Sequence, residues 1–289
     1  QNFLKKSVKI MSNFKNIRNK NNPLKFLIAK ILIRTKLCTL FTITQDHYIL
    51  KFHPTSLARD KWVDADYRHA AEDNFFLDYV KKNNTVIDVG ANIGTVTLLL
   101  SNIVGKNGNV YSVEPHPITY KYLFENIKLN NFKNITTFNV ALGEKSTQVS
   151  FSNFKSDDQN KILNLESKLS IKMSKLDDLP IKENTIDLLK IDTIGYEKFV
   201  LLGANSLLKK CKVVQFPIGG AYHKFSDYYG YDFKEVLDLL RKNNFGLYSY
   251  DQKKTLSKIL DYVIPPEGDL LAIADINDFL TRTGYSQKA

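Results

Sequence analysis

The 289-residue chain has two cysteines, Cys38 and Cys211, and no Cys-x-x-Cys pair. That excludes a cysteine-built zinc or redox site and a disulfide framework, and it suits two free thiols in the reducing cytoplasm. Uninterrupted hydrophobic runs of membrane-spanning length are missing as well. Leu24 to Phe41 is apolar but is broken by Lys25, Lys30, Arg34 and Lys36, whereas a spanning helix needs about 20 largely uncharged residues. The same charges, with no small-residue cleavage site after them, exclude a secretory signal. Acids are absent from the first 45 residues: Asp46 is the first. Internal repeats are absent too.

What is present begins with that imbalance. The net charge is +11, from 41 Lys and Arg against 30 Asp and Glu, and ten of the basic residues precede Asp46. The rest of the chain is therefore nearly neutral, which argues against a nucleic-acid enzyme with a broad basic face. No nucleic-acid partner is expected. Residues 1–45 read as a basic extension carrying an amphipathic helix, and residues 46–289 as the main domain. Leu24, Leu27, Ile28, Ile31 and Leu32 share one helical face. Such a helix either packs on its own domain or lies on an anionic membrane surface, as a peripheral contact. The chain opens on Gln1, so its natural start is expected upstream.

With 43% hydrophobic and 12% aromatic residues the chain can fill a sizeable core. Two short strands are expected at Phe41–Thr44 and His47–Phe52, then a helix over Trp62–Lys82. From there strands and helices alternate. Strands read at Thr85–Val89, Val110–Val113, Ile135–Val140, Ile186–Asp192 and Lys212–Phe216. Helices read at Gly94–Ile103, Ile118–Leu129, Tyr196–Lys209 and Phe233–Asn243. Val149–Phe151 reads as an edge strand and residues 152–170 as a surface loop or lid. Phe245–Tyr250 and Asp269–Ala274 read as a closing antiparallel pair. The alternation implies an α/β fold with a parallel sheet covered on both faces.

Ligands of such sheets bind at the C-terminal strand edge. There, residues 85–97 read TVIDVGANIGTVT. Gly90 and Gly94 permit close backbone approach. The Gly-x-Gly-x-x-Gly of nicotinamide sites is missing, and Asp88, two residues before the first glycine, would repel a pyrophosphate. The turn suits a ligand with a cationic amino-acid end, S-adenosylmethionine. Glu114 ends the second strand, where a carboxylate can accept both ribose hydroxyls. Ala141 ends the third, where adenine would lie.

TVIDVGANIGT, SVEPHP, NVALGE, KLDDLP, KIDTIGYEKFVLLGA and VVQFPIGGAYH stand in the order found in FkbM-type methyltransferases, which this chain resembles over roughly residues 60 to 275. The resemblance implies a Rossmann-like class I methyltransferase fold: a mostly parallel seven-stranded sheet with an antiparallel edge strand. It implies O-methylation of a hydroxyl on a sugar, glycolipid or small metabolite, with Asp88, Gly90, Ala91, Asn92, Gly94, Glu114, Pro115 and Ala141 at the cofactor. His116 either shapes the second turn or touches the ligand.

The catalytic corner is KIDTIGYE, residues 190–197. Asp192 and Glu197 are the candidate catalytic acids, each of which could instead serve the following helix as a cap or first-turn acid. The family pattern resembles KIDxEGxE followed by QFE. Here Ile194 and Pro217 replace two of its acids, and no metal site is expected. The other reading is thus a cofactor-binding but weak or inactive member that serves as a partner or membrane-associated scaffold. Tyr222 and His223 could line the acceptor pocket.

Overall fold

A computed structural model describes residues 22–64, 70–154, 159–219 and 227–288. Tyr222 and His223 lie outside the described residues. The chain enters through helix α1, Pro23–Thr35, capped by the Asn22 side chain with proline in its first turn, the position where a missing N–H costs nothing. A hairpin of β1, Thr42–Thr44, and β2, Ile49–Lys51, follows. Helix α2, Ser56–Val63, starts where the Thr55 side chain accepts from the Ala58 amide. Helix α3 spans Ala70–Tyr79. The single helix expected over 62–82 is therefore not found. Asp64 is extended and ends α2, so Trp62 belongs to a different helix from Phe75, Leu77 and Tyr79 of α3.

The alternating core then runs β3, Thr85–Val89; α4, Thr95–Val104; β4, Asn109–Val113; α5, Pro117–Leu129; and β5, Ile135–Phe138. Three short strands, β6 at Ala141–Leu142, β7 at Thr147–Phe151 and β8 at Leu169–Ser174, form a separate sheet in the order β6-β8-β7. Next come β9, Ile186–Ile191; α6, Glu197–Leu202; α7, Asn205–Leu208; and β10, Cys211–Gly219. The helix expected over 196–209 is split because Gly203 passes against the Gly143 backbone: a Cβ there would stand 2.1 Å from the Gly143 carbonyl oxygen. The chain closes with α8, Lys234–Lys242; β11, Gly246–Tyr250; β12, Thr255–Lys258; β13, Glu267–Ile273; α9, Ile276–Thr283; and β14, Ser286–Gln287.

The main sheet has nine strands in the order β14-β12-β11-β13-β10-β9-β3-β4-β5. Strands β5, β4, β3, β9 and β10 are parallel, and β13 runs antiparallel between β10 and β11. The α/β expectation holds. Two details differ: the antiparallel strand lies inside the sheet, and β12 and β14 extend it past seven. Strands β3 and β9 are buried along their whole length, as expected when helices cover both faces of a parallel sheet. Their C-terminal ends open beside each other on the edge where the turns after β3, β4 and β9 meet.

Candidate functional site

The turns after β3 and β9 are built into one another. The Asp192 amide donates to the Val89 carbonyl at 2.9 Å. A Cβ on Gly90 would lie 2.0 Å from the Asp192 carbonyl oxygen, and one on Gly94 would lie 2.6 Å from a Leu123 methyl on α5. Both glycines sit at positive φ, 85° and 96°. They therefore let the chain's own elements approach each other, and the cleft is shaped by that packing. The turn after β4 is tied in as well. The Gly90 and Ala91 amides donate to the Val113 carbonyl at 2.9 and 3.0 Å.

Glu114 completes this corner. It is buried, its Oε2 accepts from the Asn92 amide at 2.9 Å, and its Oε1 accepts from the His116 amide at 2.8 Å. Two backbone donors fix the carboxylate plane before any ligand arrives. His116 caps α5 through Nδ1 and reaches Asn153 through Nε2 at 3.2 Å, so its ring serves the second turn.

A partly open cleft runs along this edge. Of the expected cofactor residues, Gly90, Ala91, Asn92, Glu114, Pro115 and Ala141 line it. Asp88 and Gly94 stand behind the wall. The donor set fits S-adenosylmethionine: a fixed carboxylate for a vicinal diol, with the apolar side chains of Val113, Val140 and Leu142 forming a slot for a flat ring. Two contributions were not legible in the sequence. Leu57 of α2 lines the cleft, and so do Asn160, Lys161 and Ile162 of the expected loop. The Lys161 ammonium lies over the Tyr228 ring at 4.2 Å, and burial lowers its pKa.

Asp88 belongs to a buried polar row that crosses four strands in register: Ser112, Asp88, Lys190 and Gln215. Thr97 donates to Asp88 Oδ2 at 2.7 Å and lies 2.9 Å from the Ser112 hydroxyl. Gln215 donates to Glu72 at 3.2 Å. Lys190 is the centre of the row, with its ammonium 3.4 Å from Asp88 and 3.8 Å from Asp192. Burial pulls its pKa down, but the carboxylates of Asp88, Asp192 and Glu72 outweigh burial and raise it. The lysine is therefore a fixed cation in the cleft wall.

The two candidate catalytic acids separate. Asp192 lines the cleft and is half-buried. Glu197 is fully buried and does not line it. Its Oε1 accepts from the Thr193 amide and hydroxyl and from the Gly195 amide, at 3.1, 3.2 and 3.1 Å. Its Oε2 has no partner among the described residues. Burial pushes this carboxyl up to about 7, against the amides that lower it, and Asp192 adds to the rise. Glu197 braces the turn from behind. Ile194, at the tip, faces the cleft with φ 55°, a conformation that is rare for a β-branched residue. Tyr231 holds the turn from below by donating to the Gly195 carbonyl at 2.7 Å. Pro217 lies on β10 past the last residue paired with β9, opposite Asp269 of β13. Among the described residues no group of three His, Cys, Asp or Glu could hold a metal ion.

Residues 88–247 match the model of the methyltransferase FkbM domain, and residues 25–148 match that of protein-L-isoaspartate(D-aspartate) O-methyltransferase. No curated protein sequence matches the chain. Among solved structures it is similar to methyltransferase FkbM from Methylobacillus flagellatus, at 18% identity and TM-score 0.43, over 66% of this chain and 43% of that one. It is similar to an S-adenosylmethionine-dependent O-methyltransferase from Thermotoga maritima at 13% identity and TM-score 0.43, over 74% and 69%. Fibrillarin from Aeropyrum pernix, with natively bound S-adenosylmethionine, aligns at 14% identity and TM-score 0.41, over 72% and 75%.

Proposed function

This chain belongs to the FkbM methyltransferase family, a family of S-adenosylmethionine-dependent enzymes, and on that premise we propose that it methylates a hydroxyl of a sugar, glycolipid or small metabolite. The carrying observation is the pairing of two carboxylates across one cleft: Glu114, locked by the Asn92 and His116 amides, and Asp192, which faces the open space. Glu114 holds the ribose hydroxyls. Ala91, Asn92, Pro115 and Ala141 bound the rest of the cofactor slot, and Asp88 and Gly94 support its turn from behind.

Bound S-adenosylmethionine supplies a methyl group already activated by sulfonium, so the chain has to align an acceptor oxygen and remove its proton. Alignment alone is worth about 7–11 kcal/mol. Asp192 accepts the proton, a role worth about 10²–10⁴-fold. Lys190 keeps the Asp192 carboxylate beside a fixed positive charge. Leu57, Ile162 and Ile194 exclude water from the acceptor side. Glu197 keeps the turn in shape without touching the acceptor.

One observation favours a weaker enzyme: Asp192 is the single catalytic candidate acid on the cleft, because Glu197 is turned away and Ile194 occupies the tip. The decisive experiment is an equilibrium titration of S-adenosylmethionine against wild type and Glu114→Ala, followed by methyl transfer to a panel of hydroxylated acceptors with wild type, Asp192→Asn and Ile194→Glu. Binding that Glu114→Ala weakens, with turnover that Asp192→Asn abolishes, supports the active reading. Cofactor binding without turnover, and turnover gained in Ile194→Glu, favours the weak or scaffolding reading.

A further inference from the structure

Helix α1 meets its own domain mainly through a face other than the one its sequence advertises: of the five residues expected to share a face, Leu32 packs against the core and the other four are exposed. Phe26 and Ala29 are buried in the core with Leu57 and Ala58 of α2, and Ile33 packs against them. Lys25 folds over the Trp62 ring at 5.1 Å, and Lys30 over the Phe26 ring at 4.7 Å. The face that remains outward carries Leu24, Leu27, Ile28 and Ile31, exposed by 42% to 69%. These four lie at i, i+3, i+4 and i+7, one stripe along the helix. Lys25 edges it on one side, Lys30 and Arg34 on the other. Leu37, Leu40 and Phe41, which follow the helix, are exposed as well. Water does not favour a run of large aliphatic side chains displayed this way, and a patch of this kind marks an interaction surface.

We propose that this face docks on the surface of an anionic lipid bilayer. The argument is charge complementarity combined with the stripe. Lys25, Lys30 and Arg34 flank the row of aliphatic tips on the helix, the first 45 positions of the sequence hold ten basic residues and no acid, and each lysine or arginine near an anionic leaflet adds attraction. Apolar tips entering the headgroup layer while basic residues ring them is the geometry of an interfacial helix. Among the described residues no helix is long and apolar enough to cross a membrane, so the contact is a lateral one. The inward face stays on the domain, which requires no unfolding for docking.

The test is flotation of the full chain with phosphatidylcholine vesicles and with vesicles containing phosphatidylglycerol. The wild type floats with the anionic vesicles and about tenfold less with the neutral ones. Leu27→Ser with Ile31→Ser, and separately Lys30→Glu with Arg34→Glu, each reduce flotation about tenfold or more. Leu27→Trp gains a blue-shifted emission on adding anionic vesicles, a signal that reports insertion directly. A wild type that stays at the bottom with anionic vesicles overturns the proposal, as does flotation untouched by the double serine variant. A dimer in light scattering that the double serine variant dissociates, without flotation, also overturns it and assigns the face to a second copy.

Discussion

The backbone at Gly90 passes so close to Asp192 that a Cβ on the glycine would stand 2.0 Å from the aspartate's carbonyl oxygen. The turns after β3 and β9 therefore share one boundary. Gly90→Ala must push them apart and must also hold alanine at φ 85°, which costs about 1–2 kcal/mol by itself. The expected result is a lower thermal midpoint together with loss of cofactor affinity, read by calorimetric titration on the fraction that remains folded. A variant that binds as tightly as wild type would show that the two turns move independently.

Lys190 neutralises two acids from within the sheet. Lys190→Met leaves Asp88 buried without its cation, and breaking such a pair costs about 3–5 kcal/mol. Adding Asp88→Asn removes the stranded charge and should recover part of that loss. Denaturant titrations of the two single variants and the double close the cycle. Additive losses would mean that the 3.4 Å approach carries no coupling.

Glu197 makes stability depend on pH. Its carboxyl is raised from 4.5 to about 7 in the fold. Below the unfolded value both states are protonated and its contribution is complete. Between those values the unfolded chain ionises while the folded chain keeps its proton, so stability is lost as pH rises to about 7, by up to about 3 kcal/mol. Glu197→Gln cannot ionise and should gain on wild type over that window. Urea midpoints of the two proteins from about pH 5 to about pH 8 check it, and a constant gap would remove the raised carboxyl from the account.

Ile194 holds a β-branched side chain at φ 55°. Glycine accepts that backbone without strain, so Ile194→Gly should stabilise the protein by about 1 kcal/mol after its larger unfolded-state entropy is counted. Urea unfolding measures this. A loss of stability instead would mean that the contacts of Ile194 in the cleft outweigh the strain.

The alternation of strands and helices made the architecture legible, because a buried parallel sheet demands it. The strand-end acids Glu114 and Asp192 were legible for the same reason: the fold places the ends of β4 and β9 at the cleft. Asp88 and Glu197 were not. Each stands within two residues of a glycine turn, and sequence spacing does not say whether a side chain lies in front of a turn or behind it. In β3 every residue is buried, so alternation gives no sign of Asp88's direction, and its partners Lys190 and Thr97 come from other elements. Leu57 and Lys161 line the cleft by tertiary placement alone. Strands β12 and β14 are short and carry no pattern apart from their neighbours.

The insertion of β13 between β10 and β11 orders the protein's birth. Residues 216–219 of β10 pair only with β13, and β11 needs β13 to reach the rest of the sheet. Until residue 273 has been synthesised, the growing chain holds two open strand edges facing a gap. Such edges recruit other strands. A chain cut short before β13 thus holds every residue that lines the cleft and a sheet still divided, with its open edges exposed to other strands.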